Sequence, residues 1–250
     1  MEFGSLFEMT GFARIVTFIG AGGKSTCLLS LAQEISTAGE KVIATTSTKV
    51  FPMPFAHAEK SVLLHEAESY PYFWFVESES ESGKWIGPSI ETIDAATCLS
   101  ERQQHFWVIE GDGARRQRLK CWAPHEPQIP LSTECAVLVL DGGLLGKIID
   151  SQDIHRVELF QGPLGVVWNL QHAWEYLLSS PIFAPRYHKM SWVILCNEFA
   201  GHLGNVDIEE LAKVGFSALQ GYHDSAMLPL HLRVAAGDAK EGKLRWYDLW

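Results

Sequence analysis

The stretch that decides the fold is Phe18-Ile19-Gly20-Ala21-Gly22-Gly23-Lys24-Ser25-Thr26. A β-branched, apolar run (Ile15, Val16, Thr17, Phe18, Ile19) enters it, and Leu28, Leu31, Ala32, Ile35 and Ala38 leave it at helical spacing, with Gly39 as a stop. Strand, glycine cluster, Lys-Ser-Thr and helix in that order build a phosphate cradle. Small residues let backbone N–H groups converge on an anion, and the following helix adds the positive end of its dipole. The reading assigns Gly20, Ala21, Gly22, Gly23, Lys24, Ser25 and Thr26 to a nucleotide, with Lys24 on the outer phosphates and the Ser25 hydroxyl on Mg²⁺. Phe18 stands where G-x-x-x-x-G-K-[ST] has its first glycine, so the pattern here is the shorter G-x-x-G-K-S-T, a loop length found in Mur-type ligases. The competing reading is a glycine-rich turn with Lys24 on the surface. The order of strand, loop and helix favours phosphate binding.

Working outward, Lys41 to Ala44 form a second strand, which a right-handed crossover places parallel to the first. It ends in Thr45-Thr46-Ser47-Thr48-Lys49. Ligand sites of open α/β sheets lie at such carboxyl ends, so Thr46, Thr48 and Lys49 are candidates for the γ-phosphate or its metal. Phe106 to Ile109 form another strand, running into Glu110-Gly111-Asp112-Gly113. Two carboxylates two residues apart on extended backbone face one side. One would hold Mg²⁺ and the other would orient a nucleophile. Arg115 or Arg116 would contact the transferring phosphate or an anionic substrate, with a plain surface role as the alternative.

Strands at Ala136–Leu140 and Trp192–Leu195, and helical segments at 164–179 and 207–213, complete the pattern. The expected fold is α/β, a P-loop NTPase-like, mostly parallel sheet of about five core strands flanked by helices. Residues 61–93 read as a β-rich insertion that forms a small antiparallel extension, with Glu77 to Ser82 as a solvated loop. The expected organisation is one domain over 11–250. Residues 1–10 are expected to be flexible, and Met1 to Ser5 to be a cloning remnant.

The 250 residues carry a net charge of −10, which argues against nucleic acid as the main partner. Arg115, Arg116, Arg118 and Lys120 are the local exception. No apolar run is long enough to span a membrane, and the N-terminus does not read as a secretory signal. The five cysteines form no C-x-x-C pair, which fits buried free thiols in a reducing cytoplasm rather than a zinc site.

Several blocks together resemble a known family. They are Gly20 to Thr26, Thr45 to Lys49, Glu110-Gly111-Asp112-Gly113-Ala114-Arg115-Arg116, Leu119-Lys120, Ala123-Pro124-His125-Glu126-Pro127-Gln128-Ile129-Pro130, and His155-Arg156. They look like the YqeC family, described as accessory proteins of selenium-dependent molybdenum hydroxylases. The likeness covers roughly residues 12 to 200, and Gly111 replaces a small alanine of the family pattern. It implies a cytoplasmic nucleotide binder whose partners are a molybdenum hydroxylase or its maturation factors, with a homodimer left open. It also raises His125, Glu126, His155 and Arg156 as site residues, so that either the second acid of the Glu110/Asp112 pair or His125 would position water. After the late strand, Cys196-Asn197-Glu198-Phe199 lacks the lysine and the aspartate of a guanine-recognition stretch, so ATP and GTP both remain open.

The leading expectation is a Mg²⁺-dependent NTPase that assists maturation of a molybdenum hydroxylase, with Lys24, Glu110, Asp112, Arg115 and His125 as its catalytic set. The rivals are an ATP-dependent ligase or kinase with a short Mur-like loop, and a module that uses nucleotide only as a switch.

Overall fold

A computed structural model of the chain describes residues 3–55, 57–64, 69–99, 104–198, 206–220 and 228–250. A short helix α1 (Leu6–Met9) leads into β1 (Ile15–Gly20), α2 (Lys24–Thr37) and β2 (Val42–Thr46). Next come β3 (Lys49–Val50), β4 (His57–Lys60), β5 (Tyr72–Phe75), β6 (Glu77–Ser78), β7 (Trp85–Ile86) and α3 (Ile90–Cys98). They are followed by β8 (Phe106–Glu110), β9 (Leu119–Lys120), β10 (Cys135–Asp141), β11 (Ile154–His155) and α4 (Leu170–Leu178). The chain closes with β12 (Ser191–Asn197), α5 (Ile208–Gln220), β13 (His231–Asp238) and β14 (Lys243–Asp248).

Nine of these strands make one sheet in the order β14-β13-β12-β10-β1-β8-β2-β5-β4. Every neighbouring pair is parallel except β13–β14. The fold is therefore α/β, with a large, mostly parallel sheet flanked by helices and a small antiparallel part. Its central strands read as continuous apolar runs because both of their faces are covered. Along β1, Val16 and Phe18 pack with Leu28, Leu31 and Ile35 of α2, while Ile19 joins Trp174 and Leu177 of α4 and Leu211 of α5. This is the two-residue alternation of a strand, here apolar on both sides. A third cluster sets Ile43, Trp74, Trp107 and Ile109 against Ile93 of α3. Burying one side chain the size of Phe18 stabilises the fold by roughly 2–3 kcal/mol.

Four expectations are corrected. The sheet is nearly twice as wide as the five core strands read from the sequence. β13 and β14 were missed because their pattern, His231 to Asp238 and Lys243 to Asp248, mixes charged with apolar residues. Within 61–93, β5 enters the main sheet as a parallel strand, and only β6 and β7 form, with β3, a separate antiparallel sheet. Residues 164–169 are not helical, because Asn169 caps α4 by accepting from the His172 N–H at 2.9 Å. Residues 4–10 are packed rather than flexible. Gly4 pairs with Leu244, Leu6 and Met9 are fully buried, and the Leu6 and Phe7 N–H groups donate to the Glu34 carboxylate at 3.3 and 2.8 Å. Among the described residues, no helix is long and apolar enough to cross a membrane.

Candidate functional site

The site opens where β1, β8 and β10 end side by side. Gly20, Gly22 and Gly23 hold φ of 95°, 99° and 107°, a region in which a side chain is strained. At Gly22 space forbids one as well, since a Cβ would lie 2.3 Å from the Asp141 nitrogen. The loop is fastened from three directions. The Ala21 N–H donates to the Val139 carbonyl at 3.0 Å, Asn197 Nδ2 donates to the Gly22 carbonyl at 2.8 Å, and the Gly20 N–H donates to both Asp112 oxygens at 3.1 and 3.0 Å. Gly23, as N-cap of α2, supplies no side-chain cap, so the first N–H groups of the helix face the cleft uncapped.

Lys24 folds back over this loop. Its ammonium donates to the Gly20 carbonyl at 2.7 Å and lies 3.3 Å from Asp112 Oδ1. Burial opposes its charge, but the Asp112 and Glu110 carboxylates outweigh burial and hold its pKa above the usual lysine value. The Ser25 hydroxyl donates to Glu110 Oε2 at 2.8 Å. Glu110 is 5% exposed; burial pushes its carboxyl pKa up, against the pull of Lys24 and the Ser25 hydroxyl.

The two acids of the Glu-Gly-Asp-Gly turn differ in role. Glu110 lines the cleft. Asp112 is fully buried, and its oxygens are taken by Gly20, Lys24, the Trp122 indole N–H at 2.7 Å and, at 3.8 Å, the Lys120 ammonium. Asp112, expected as a metal ligand or nucleophile-orienting acid, has its carboxylate set behind the loop, bound to Gly20, Lys24 and Trp122. The reason is that β8 ends at Glu110 and the chain then turns, so the two carboxylates do not share one extended face.

Behind the loop lies a network that the family-like block supplies. Lys120, fully buried, donates to the Gly113 carbonyl at 2.6 Å and to Glu126 Oε1 at 3.1 Å. Glu126 Oε2 accepts from Arg156 Nε at 2.9 Å and from the Ala123 N–H at 3.3 Å. Burial works to raise the Glu126 pKa, but Arg156 and Lys120 prevail and hold it below the usual carboxylate range. His155 is 9% exposed; burial first, then Lys120, Arg156 and Arg115, lower its pKa and favour the neutral ring.

These pieces surround one cleft of about 1100 Å³. Seven of its lining residues are Lys24, Lys49, Lys84, Arg115, Arg116, Arg118 and Arg156, against the carboxylates of Glu110, Glu126 and Asp141. A chain of net charge −10 thus concentrates positive charge in this cleft, which draws anions to it. Thr48 and Lys49 line the cleft, the latter paired with Glu79 at 2.7 Å. Thr46 does not: it is fully buried and donates to the Glu110 carbonyl at 2.9 Å. His125 is exposed and is not among the lining residues, whereas its neighbour Glu126 is. Of the histidines and acids in the family-like blocks, Glu126 and His155 line the cleft. Trp122 and Asn197 escaped the sequence reading as site residues, whereas Arg118 and Lys120 entered it only as members of a local basic exception. The signal for Lys120 was its place in the Leu-Lys block; for Asn197, the polar end of a buried strand.

A family model described as "YqeC protein" matches residues 16–158, which include every residue of the network except Asn197. The YqeC protein of Escherichia coli (strain K12) is 33% identical over 160 residues, covering 61% of each chain. The chain thus spans about three fifths of the length of that curated relative. No solved structure matches. With more than half of its length matched by the family model, the chain belongs to the YqeC family.

Proposed function

We propose that this protein binds a nucleoside triphosphate with Mg²⁺ and hydrolyses it as a P-loop NTPase, ATP and GTP both fitting the reading. The observation that carries this is the meeting, at one end of a cationic cleft, of Lys24, the uncapped start of α2 and the Ser25–Glu110 pair. Lys24 and the helix N–H groups hold the phosphates, and Thr26 lies beside them on the first turn. Mg²⁺ takes few protein ligands and prefers hard oxygens. Ser25 Oγ and the Glu110 carboxylate are donors of that kind, on the side where the terminal phosphates would lie. When bound, the ion would neutralise charge on the phosphates.

Calorimetry tests this reading. Lys24→Ala should remove nucleotide binding, while Ser25→Ala should retain it with a weakened dependence on Mg²⁺. Unchanged affinity in a folded Lys24→Ala protein would show that the loop is not a nucleotide site.

By family likeness, the protein acts in the cytoplasm as an accessory factor in maturation of a selenium-dependent molybdenum hydroxylase. Reconstituted hydroxylase should gain activity when the protein and a triphosphate are added together, and not with Lys24→Ala. One observation favours a kinase or ligase instead of a simple NTPase, namely the arginine-rich far end of the same cleft. ADP release that depends on an added acceptor would decide for that reading.

A further inference from the structure

Four non-glycine residues among those described have positive φ: Phe12, Arg115, Arg116 and Arg156, at 57°, 50°, 65° and 60°. Three of the four are arginines that line one cleft. Left-handed backbone is unfavourable for a side chain and persists where the surroundings impose it, often at ligand sites. Arg115 and Arg116 follow one another in this conformation, on the turn that leaves the β8 loop. A single strained residue would suffice to turn the chain. Two in succession fix where both guanidinium groups start.

Charge points the same way. Lys24, Arg118 and Arg156 each have a carboxylate partner at 3.3, 2.6 and 2.9 Å. Among the described residues, Arg115, Arg116 and Lys84 have none within ion-pair distance, and all three line the cleft. A triphosphate with Mg²⁺ carries about two net negative charges. Lys24 and the helix start meet these at the other end, so the three cations are available for another anion. Between them stands Phe51, 49% exposed, with the Lys84 ammonium 4.9 Å and the Arg116 guanidinium 5.0 Å from its ring centre. An exposed ring held between cations offers an apolar face beside an anion hole.

We propose that Arg115, Arg116 and Lys84, with Phe51, form a second subsite in the cleft that binds an organic phosphate alongside the nucleotide. The phosphate monoester, at about −1.5 to −2, matches the unpaired charge. The guanidinium forks bind its oxygens, and its organic part rests on Phe51. The inference rests on the nucleotide occupying the Lys24 end, and it makes the protein a two-substrate binder.

The probes are inorganic phosphate and phenyl phosphate, titrated calorimetrically into the full chain saturated with Mg²⁺ and a nonhydrolysable triphosphate. One phosphate should bind per chain without displacing nucleotide, and phenyl phosphate should bind more tightly by about threefold, a gain lost in Phe51→Ala. Arg115→Ala/Arg116→Ala should weaken both probes by about tenfold or more, and Lys84→Ala should weaken them while changing nucleotide affinity by less than about twofold. Arg116→Gly, which keeps the backbone conformation without strain, should weaken them as well and guards against a misfolded double variant. Displacement of nucleotide by phosphate, binding indifferent to the arginines, or no binding would overturn the subsite. Arginine-dependent phosphate binding in a chain that takes no nucleotide would keep the anion site and refute the nucleotide reading instead.

Discussion

The glycine loop after β1 and the segment from Glu110 to Glu126 are built by opposite means. The loop, Gly20 to Thr26, is made by backbone: three glycines at positive φ, a tight approach to Asp141, and N–H groups facing outward. The second segment is made by side chains: Asp112, Lys120 and Glu126, buried or nearly so, satisfy one another and several backbone groups. The two interlock at Gly20, whose N–H donates to Asp112. The loop's shape is thus held partly by charges from outside it. A site of this kind is preorganised, because its dipoles are fixed before a ligand arrives. It is also exposed to disruption from behind, since removing one member of a buried charge network leaves the others uncompensated.

The comparison can be broken first at Lys120. Lys120→Met should lower stability by about 3 kcal/mol or more in denaturant unfolding, because Asp112 and Glu126 lose their shared buried cation. Retained stability would mean that the network is not what holds the second segment. Gly22→Ala attacks the loop itself. Strained φ and a clash with Asp141 backbone should together cost about 2 kcal/mol or more and weaken nucleotide binding in the same protein, read by thermal shift and calorimetry.

Smaller effects sharpen the contrast. Arg116→Gly should raise stability by about 1 kcal/mol, through relief of the left-handed backbone at an exposed position. A gain in stability together with a loss of phosphate would mark the strain as maintained for binding. The smallest effect is a pH slope from His155. Its pKa is lowered by burial and by the cations around it, so the unfolded chain takes up a proton first as pH falls. Stability from this group is complete above its unfolded value of about 6.5 and declines below it. His155→Gln should flatten the slope just below that pH, and an unchanged slope would show that the ring is not held neutral.

Much of the sheet was legible because parallel strands buried on both faces leave continuous apolar runs, such as Ile15 to Ile19 and Phe106 to Ile109. β13 and β14 were not, because β14 is an edge strand that buries less and both strands carry charged residues such as Arg233, Lys243 and Arg245. The anchored N-terminus was equally hidden. Leu6 and Phe7 meet Glu34, Gly4 meets Leu244 and the Met9 carbonyl accepts from Arg233, all partners far along the chain.

Within the site, the split between local and distant causes is the same. The sequence by itself determined the glycine loop between β1 and α2, since glycine spacing, the lysine and the following helix are neighbours and their geometry is local. It also marked Glu110 to Pro130 as a block that belongs with that loop. Only the tertiary structure decided which acid faces the cleft. Asp112 is turned inward by Lys24, Trp122 and Lys120, which lie 88 residues before it or follow within ten, and no spacing rule relates them. Burial of a charge depends on what the rest of the chain brings to meet it, and that is fixed in space and not along the sequence.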